Sequence, residues 1–390
     1  MSAAALATRG SLARGAVVAG AVAVGWALAR RLTRDTDRRL IDWERAAFVA
    51  TRVAGSHGRL QGARHAALQL EYETMVREIE QPLAAYTGTQ LSLAQTEVQV
   101  LDRVGWIHAN IKSFKQLFQP LEDLYQEQWR EAANSLPGAS QAARLVLSGE
   151  VGVILGYLSR KVLGQYDISL LGTEPLESGK LYFVQPNIEE LERTLGMPPA
   201  EVRRWIALHE ATHAHEFEVY PWVRSYLNGQ LDSYLRGMAR ELLGHGASPS
   251  LLLRLAQNLS RGHSLIDAVM TPHQRALLAR MQSLMTLAEG YSNHVMNKVG
   301  AELLEHHEEI HHRVEHRQKN RGRAELLFLQ LTGLKMKMEQ YALGEQFANE
   351  VADRKGVAFL NRAWHAAENL PTDEEYRDAA RWISRMEAAV

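Results

Sequence analysis

Apolar residues recur at helical spacing from Asp42 onward, and strand-like alternation is scarce. The chain holds only 11 prolines in 390 residues, so few positions interrupt a long helix. Hydrophobic residues make up 46% and charged residues 23%, which is typical of a globular protein with a substantial core. The sequence therefore predicts a mainly α fold with at most a small β element.

The apolar periodicity predicts twelve helices, and one short run predicts a strand. The strand is Lys180–Val184, an apolar run bracketed by segments that contain glycine and proline. Gly152 and Gly156 lie one turn apart on an apolar helix, which favours close packing against another helix. The predicted helices are about Asp42–Ala54, Gly62–Ala85, Thr96–Ala132, Ser140–Leu163, Asn187–Leu195, Pro199–Val219, Trp222–Leu243, Ser248–Ser260, Thr271–Val299, Ala301–Gln318, Ala324–Lys355 and Thr372–Met386.

The charge balance and the cysteine content exclude several kinds of partner, metal site and catalytic group. The chain has 44 basic and 45 acidic residues, so it lacks the basic field of nucleic-acid-binding proteins, and we expect no nucleic-acid partner. It contains no cysteine, which excludes disulfides, cysteine-ligated metals and thiol nucleophiles. Any metal must therefore be held by histidine and carboxylate side chains.

The first 39 residues differ from the rest in composition, and we treat 1–39 as a basic, apolar extension of one helical domain, 40–390. They carry seven arginines against two aspartates. The run Gly15–Ala29 has 15 uncharged residues, short of the roughly 20 of a spanning helix. It fits a signal peptide, a short anchor, or a soluble arm packed on the body or on a partner. We expect a cytoplasmic body with at most weak membrane attachment through 15–29.

The pentad His209-Glu210-Ala-Thr-His213 carries the clearest chemical signal. Residues four apart share one face of a helix, so the two imidazoles can converge on one Zn²⁺. Glu210 would then lie beside the open coordination position, where a carboxylate can act as general base. The apolar residues Trp205, Ile206 and Leu208 indicate that this helix, about 199–219, is buried.

A catalytic zinc site needs a third protein ligand. Val219 stands six residues after His213, where a metzincin has a third histidine, so that class is excluded. Glu216 lies roughly 7–8 Å along the helix axis from the histidine pair, which suits a supporting role. The best candidate is Glu289, a lone carboxylate in the otherwise uncharged stretch Met281–Asn297 of the helix about 271–299.

Two neighbours of Glu289 are further candidates. A gluzincin-type site uses Glu-x-x-x-Asp, in which the aspartate orients a ligating histidine, and Asn293 replaces that aspartate here. His294 is an alternative third ligand, a candidate oxyanion donor, or a polar residue of the helix face. A separate run, Glu302–His316, holds five histidines, and we interpret it as a solvated helix face rather than a second metal site.

Five separated blocks resemble a bacterial family of metalloprotease-like proteins of the minimal gluzincin type, whose zinc-dependent hydrolase activity is inferred from its motif. Some of its members are associated with deazaflavin-coenzyme biosynthesis. The resemblance runs from about Asp42 to the C-terminus and implies a mostly helical zincin-like fold. It also implies zinc on His209, His213 and Glu289, with Glu210 as the base. The blocks are EVGVILGYLSRKVLGQYD, LYFVQPNIEELERTLGMPPAEVRRWIALHEATHAHEFEVYPWVR, LMTLAEGYSNHVMNKVG, LTGLKMKMEQYALGEQFANEV and NRAWHAAENLPTDEE.

The leading hypothesis is therefore a zinc-dependent hydrolase, a metallopeptidase acting on a peptide or another carbonyl substrate. Its alternative is a non-catalytic, zinc-stabilised helical interaction module, membrane-tethered through the extension. Glu210 favours catalysis, because a purely structural metal site has no use for a carboxylate beside the metal.

Overall fold

The computed structural model describes residues 39–55, 60–90, 96–131, 137–167, 179–244, 271–319 and 335–389. These ranges are mostly helical and contain one three-stranded sheet, which confirms the predicted mainly α class. The elements are α1 Trp43–Ala54, α2 Gly62–Thr87, β1 Glu97–Leu101, α3 Arg103–Glu131, α4 Pro137–Ser159, β2 Gly164–Asp167, β3 Lys180–Val184, α5 Gln185–Leu195, α6 Pro199–Val219, α7 Trp222–Gly244, α8 Pro272–Leu303, α9 His307–Lys319, α10 Lys335–Lys355, α11 Val357–Leu360, α12 Asp373–Arg377 and α13 Ala379–Ala388.

The sheet has the strand order β1-β3-β2, with β1 parallel and β2 antiparallel to β3. The predicted strand Lys180–Val184 is its central member and is almost wholly buried. Strand β1 replaces the start of the predicted helix Thr96–Ala132, which begins only at Arg103. The predicted helix Ser140–Leu163 ends at Ser159, before β2 begins. Both strands are only four or five residues long and form by pairing with β3, which lies far along the chain from β1, so local periodicity could not reveal them.

Three further helix predictions, Thr271–Val299, Ala301–Gln318 and Thr372–Met386, need correction at their boundaries. Helix α8 continues to Leu303 and α9 begins at His307, so the break falls later than predicted. The predicted helix Thr372–Met386 is interrupted at Asp378. The predicted helix Ser248–Ser260 and the first part of Ala324–Lys355 lie outside the described residues.

Side-chain caps begin two of the helices, α8 and α12. Thr271 accepts the Gln274 backbone N–H, and Thr372 does the same for Glu375, each within a reciprocal capping box. Thr271 is followed by a proline at the first helical position. The Thr271 cap fixes the start of α8, the helix that carries Glu289.

The main hydrophobic core packs α6 and α8 against α2, the sheet, α10 and the C-terminal helices. A smaller core lies between α1, α3 and α4. In this smaller core, Gly152 and Gly156 of α4 face α1 so closely that an added Cβ would lie 2.6 Å from the carbonyl oxygens of Ala46 and Ala50. This confirms the close helix packing predicted for the two glycines.

None of the helices in the described ranges is long and apolar enough to cross a membrane. The run Gly15–Ala29 lies outside those ranges.

Candidate metal centre

Helix α6 brings the two motif imidazoles together. His209 and His213 lie one turn apart on the same face, with ring centroids 4.6 Å apart. Their Nε2 atoms face each other at 3.2 Å. Buried apolar residues on both sides of the motif, including Ile206, Leu208 and Ala214, anchor this helix in the main core. The imidazoles therefore converge as the helical spacing predicts.

Helix α8 packs against α6 and supplies a carboxylate to the same point. One ligand atom each of His209, His213 and Glu289 lies within 4.8 Å of the other two, so all three could contact a single ion. The sequence prediction that the third group comes from another helix, at Glu289, agrees with this geometry.

Each imidazole is held by its other nitrogen. The Nδ1 atom of His213 lies 2.9 Å from Oε2 of Glu216, a fully buried carboxylate. The Nδ1 atom of His209 lies 3.1 Å from Ser292 Oγ and 3.0 Å from Met296 Sδ. Contacts of this kind fix the orientation and tautomer of a metal-ligating histidine. Glu216 thus has the supporting position that its distance along the helix predicts.

Asn293 does not contact an imidazole, which corrects the expected gluzincin-type hydrogen bond. Its Nδ2 atom instead donates to Glu345 Oε2 of α10 at 3.2 Å. The cause is a close crossing of α8 and α10 at Gly290 and Gly344, where a Cβ added to Gly290 would lie 2.1 Å from the Gly344 carbonyl carbon. Glu345, next to that crossing, therefore lies within reach of Asn293.

His294 also points away from the metal grouping. It is fully buried, and its Nε2 lies 2.6 Å from the Tyr86 hydroxyl while its Nδ1 lies 2.6 Å from Asn349 Oδ1. Both ring nitrogens are engaged with other helices. Three roles were open for His294 from the sequence, and these contacts agree best with a polar residue on a helix face. That face is buried between helices rather than exposed to solvent.

Strand β2 covers the motif glutamate. Glu210 is buried, and the Tyr166 backbone N–H donates to its carboxylate. Gly164 lies so close that an added Cβ would be 2.5 Å from Glu210 Cγ. Burial raises the pKa of Glu210 to about 7, although the neighbouring His213 and the Tyr166 N–H lower it. A carboxylate with this pKa can exchange a proton near neutral pH.

The electrostatics of the grouping favour a positive charge at its centre. Burial, with the neighbouring His213, holds the pKa of His209 well below its usual range, which keeps this ring neutral. Burial also disfavours charge on His213, but Glu216, Glu289 and Glu210 raise its pKa to about 10. Three carboxylates therefore surround two imidazoles in an interior where unpaired charge is costly.

The Tyr166 hydroxyl, with Arg224, is engaged beside the motif helix rather than free. It donates to Glu218, and Arg224 Nη2 donates to it at 3.1 Å.

Sequence reasoning missed the roles of Gly164, Ser292 and Met296. Ser292 and Met296 follow Glu289 by three and seven residues, so helical spacing alone could have placed them on its face. No local signal marks Gly164, because its neighbour Glu210 is distant in sequence.

A second grouping of possible ligands lies at the edge of the histidine-rich run. Glu201, Glu305 and His306 offer ligand atoms within 4.8 Å of one another. The Glu201 carboxylate already accepts both the backbone N–H of His306 at 2.8 Å and its Nδ1 at 2.7 Å. These contacts make the group an ion pair at the surface. Within the predicted solvated face, His312 and His316 are exposed but His307 is buried, so that prediction holds only in part.

Comparison with known proteins gives the family. A family model described as zincin-like metallopeptidase matches residues 41–383. The chain belongs to this zincin-like metallopeptidase family, which confirms the resemblance found in the sequence and implies a metal, typically zinc. A crystal structure from Chloroflexus aurantiacus, described as "a putative hydrolase with a novel fold", is similar with a TM-score of 0.64 and 36% identity, over 89% of this chain and 99% of that one. None of the curated proteins compared with the chain matches it significantly.

Proposed function

We propose that this protein is a zinc-dependent peptidase, with His209, His213 and Glu289 as the zinc ligands and Glu210 as general base. The observation that carries the proposal is the convergence of ligand atoms from α6 and α8 within 4.8 Å of one another. Family membership supports a hydrolase that uses a metal. Peptidase activity and the roles of the individual residues are the further step proposed here.

The donor set fits zinc. Two imidazoles and one carboxylate are a ligand combination that catalytic zinc sites use, with the fourth position open. The contact of His213 Nδ1 with the Glu216 carboxylate favours a proton on Nδ1, which leaves the Nε2 lone pair directed at the centre. The excess of carboxylates over protonated groups in a buried site also suits a divalent cation.

Bound zinc would supply a Lewis acid that polarises the substrate carbonyl and makes water more acidic. Glu210 takes a proton from the attacking water and then delivers it to the leaving nitrogen. The Tyr166 N–H and the close approach of Gly164 hold the Glu210 carboxylate in one place during both transfers. Glu216 and Ser292 keep the two imidazoles oriented.

A peptide is the favoured substrate because a strand edge lies beside the base. Among the described strands, β2 is at the edge of the sheet. Its Tyr166 N–H is directed at Glu210 and hence away from β3. Because Glu210 already engages that N–H, an extended chain would pair with the other outward backbone groups of this edge. A peptide bound along β2 would bring a backbone carbonyl close to Glu210 and the three ligands.

The test compares native protein with Glu210→Gln on a pool of peptides. The variant removes the proton acceptor without removing a ligand, so we expect it to keep its zinc and thermal stability while losing about 10²–10⁴ in rate. A native protein that binds zinc but cleaves neither peptides nor esters would favour the alternative, a zinc-stapled interaction module.

A further inference from the structure

Strand β2 is held from its far side by a side chain that the proposed mechanism does not use. Side chains alternate between the two faces of a strand, so Gln165 points away from the α6 face, where Tyr166 stacks on Phe217. The Gln165 carboxamide accepts a hydrogen bond from Trp106 Nε1 at 2.7 Å and donates to Asn110 Oδ1 at 2.9 Å. Both partners belong to α3 and are only 3% exposed. Gln165 therefore ties the strand to the interior of the protein on the side opposite α6.

The two partners on α3 are themselves fixed. Asn110 Nδ2 donates to the Trp106 backbone carbonyl at 2.9 Å, which orients the Asn110 carboxamide toward Gln165. The Trp106 ring is buried in the smaller hydrophobic core between α1, α3 and α4. Each side-chain nitrogen and oxygen of the three residues thus has a hydrogen-bond partner. A fully paired buried network of this kind holds its members rigidly.

The same face of α3 also holds the chain just before β2. Arg103 donates through Nε to Asn187 Oδ1 at 2.7 Å. Asn187 Nδ2 in turn donates to the carbonyl oxygens of Ser159 and Val162 at 2.8 and 2.6 Å. The three α3 residues of these contacts follow one another by three and four positions, so they share one face of the helix. Helix α3 therefore fixes both the connection from α4 and the strand that follows it.

We propose that Gln165 is a positioning residue, through which α3 sets the place of β2 against Glu210. The proposal rests on the proposed function, in which Glu210 is the general base. The Tyr166 N–H donates to the Glu210 carboxylate, and Gly164 lies against Glu210 Cγ. Both residues are direct neighbours of Gln165 on a strand of four residues. A shift of Gln165 therefore carries both contacts of the base with it.

Backbone pairing leaves the tilt of β2 to be set by another contact. Strand β2 pairs with β3 over four residues, and among the described strands it has no neighbour on its other side. The angle between adjacent strands ranges over about 10–35°, so pairing alone does not define it. The Gln165 anchor on α3 defines that angle here. Its loss should move the Tyr166 N–H relative to Glu210 and leave the three proposed ligands on α6 and α8 in place.

Gln165→Met tests the proposal against a matched control at the other edge of the sheet. Methionine keeps the approximate length of the side chain and removes both hydrogen bonds. The control is Gln69→Met, because Gln69 of α2 bonds in a similar way to the backbone of Val98 and Val100 in β1, which β3 separates from β2. We expect about tenfold lower kcat for Gln165→Met with unchanged zinc content, and a kcat within about twofold of native for Gln69→Met. Both variants lose two hydrogen bonds, so both should unfold at a lower urea concentration.

A second measurement does not depend on activity, so it separates failure of this proposal from failure of the proposed function. In protein labelled with ¹⁵N-tyrosine, the Tyr166 amide should exchange with solvent about tenfold faster in Gln165→Met than in native protein, because its hydrogen bond to Glu210 weakens. Trp106→Phe removes the N–H donor to Gln165, keeps an aromatic ring in the core and should accelerate the same amide. An unchanged Tyr166 amide in both variants, or a kcat of Gln165→Met equal to that of Gln69→Met, would overturn the proposal. Loss of zinc from Gln165→Met would also overturn it, because the residue would then act on the ligands and not on the base.

Discussion

Substitution of Gly164 with alanine should remove most of the hydrolytic activity while leaving all three proposed metal ligands in place. Gly164 belongs to β2, and its neighbour across the site is Glu210, not a ligand. Gly164 does not have a positive φ, so alanine can adopt its backbone conformation. The conflict is therefore one of space between the new methyl group and the proposed base.

The size of the effect follows from the contact distances. A Cβ at position 164 would lie 2.5 Å from Glu210 Cγ, 2.7 Å from its Oε1 and 2.8 Å from its Cδ, whereas ordinary contacts begin at about 3.4 Å. Strand and carboxylate must therefore separate by about 1 Å. A misplacement of about 1 Å in a reacting group can lower the rate about 10²-fold.

The assay measures kcat/KM and bound zinc on the same samples. Gly229→Ala is the control, because a Cβ there would meet nothing within 4 Å. We expect Gly164→Ala to hold as much zinc as native protein and to lose about 10² in kcat/KM. Activity within threefold of native, with zinc retained, would refute the reasoning that β2 positions Glu210.

Two other substitution pairs probe the neighbours of the site and the smaller core. Glu216→Gln should weaken zinc binding about 10–100-fold, measured by equilibrium competition with a chelator, because the Glu216 carboxylate orients His213. Asn293→Ala should change zinc affinity by less than about threefold, because the Asn293 side chain contacts Glu345 and not an imidazole. Equal losses would contradict this assignment of the two residues. Gly152→Ala should lower the free energy of unfolding in urea by about 1–3 kcal/mol because its Cβ would overlap α1. Gly149→Ala, on the same helix with open space around it, should raise that free energy by about 0.5–1 kcal/mol.

The positions of the helices and the convergence of His209 and His213 could be predicted, because both follow from how residues are spaced along the sequence. The 3.6-residue period indicates where helices form, and the same period puts His209 and His213 on one face. Glu289 could be proposed because a lone carboxylate in an apolar stretch needs a partner, and family resemblance indicated which partner. Each of these inferences uses only the residues of a single helix and needs no knowledge of how the helices pack on one another.

The contacts between helices could not be predicted in the same way. Asn293 contacts Glu345 because two glycines bring α8 and α10 together, and nothing within either segment specifies that crossing. Strands β1 and β2 are too short to show a period and form only by pairing with β3. The covering of Glu210 by Gly164 depends on that pairing and was therefore missed.

Metal analysis of purified protein tests the central claim most directly, since the whole account depends on a zinc site formed by α6 and α8. Protein prepared without chelator should contain about one zinc per chain, with two nitrogen ligands and one carboxylate oxygen by X-ray absorption. His209→Ala, His213→Ala and Glu289→Ala should each lose it. Zinc that is absent from native protein, or that persists in all three variants and is lost only in Glu201→Ala or His306→Ala, would contradict the account.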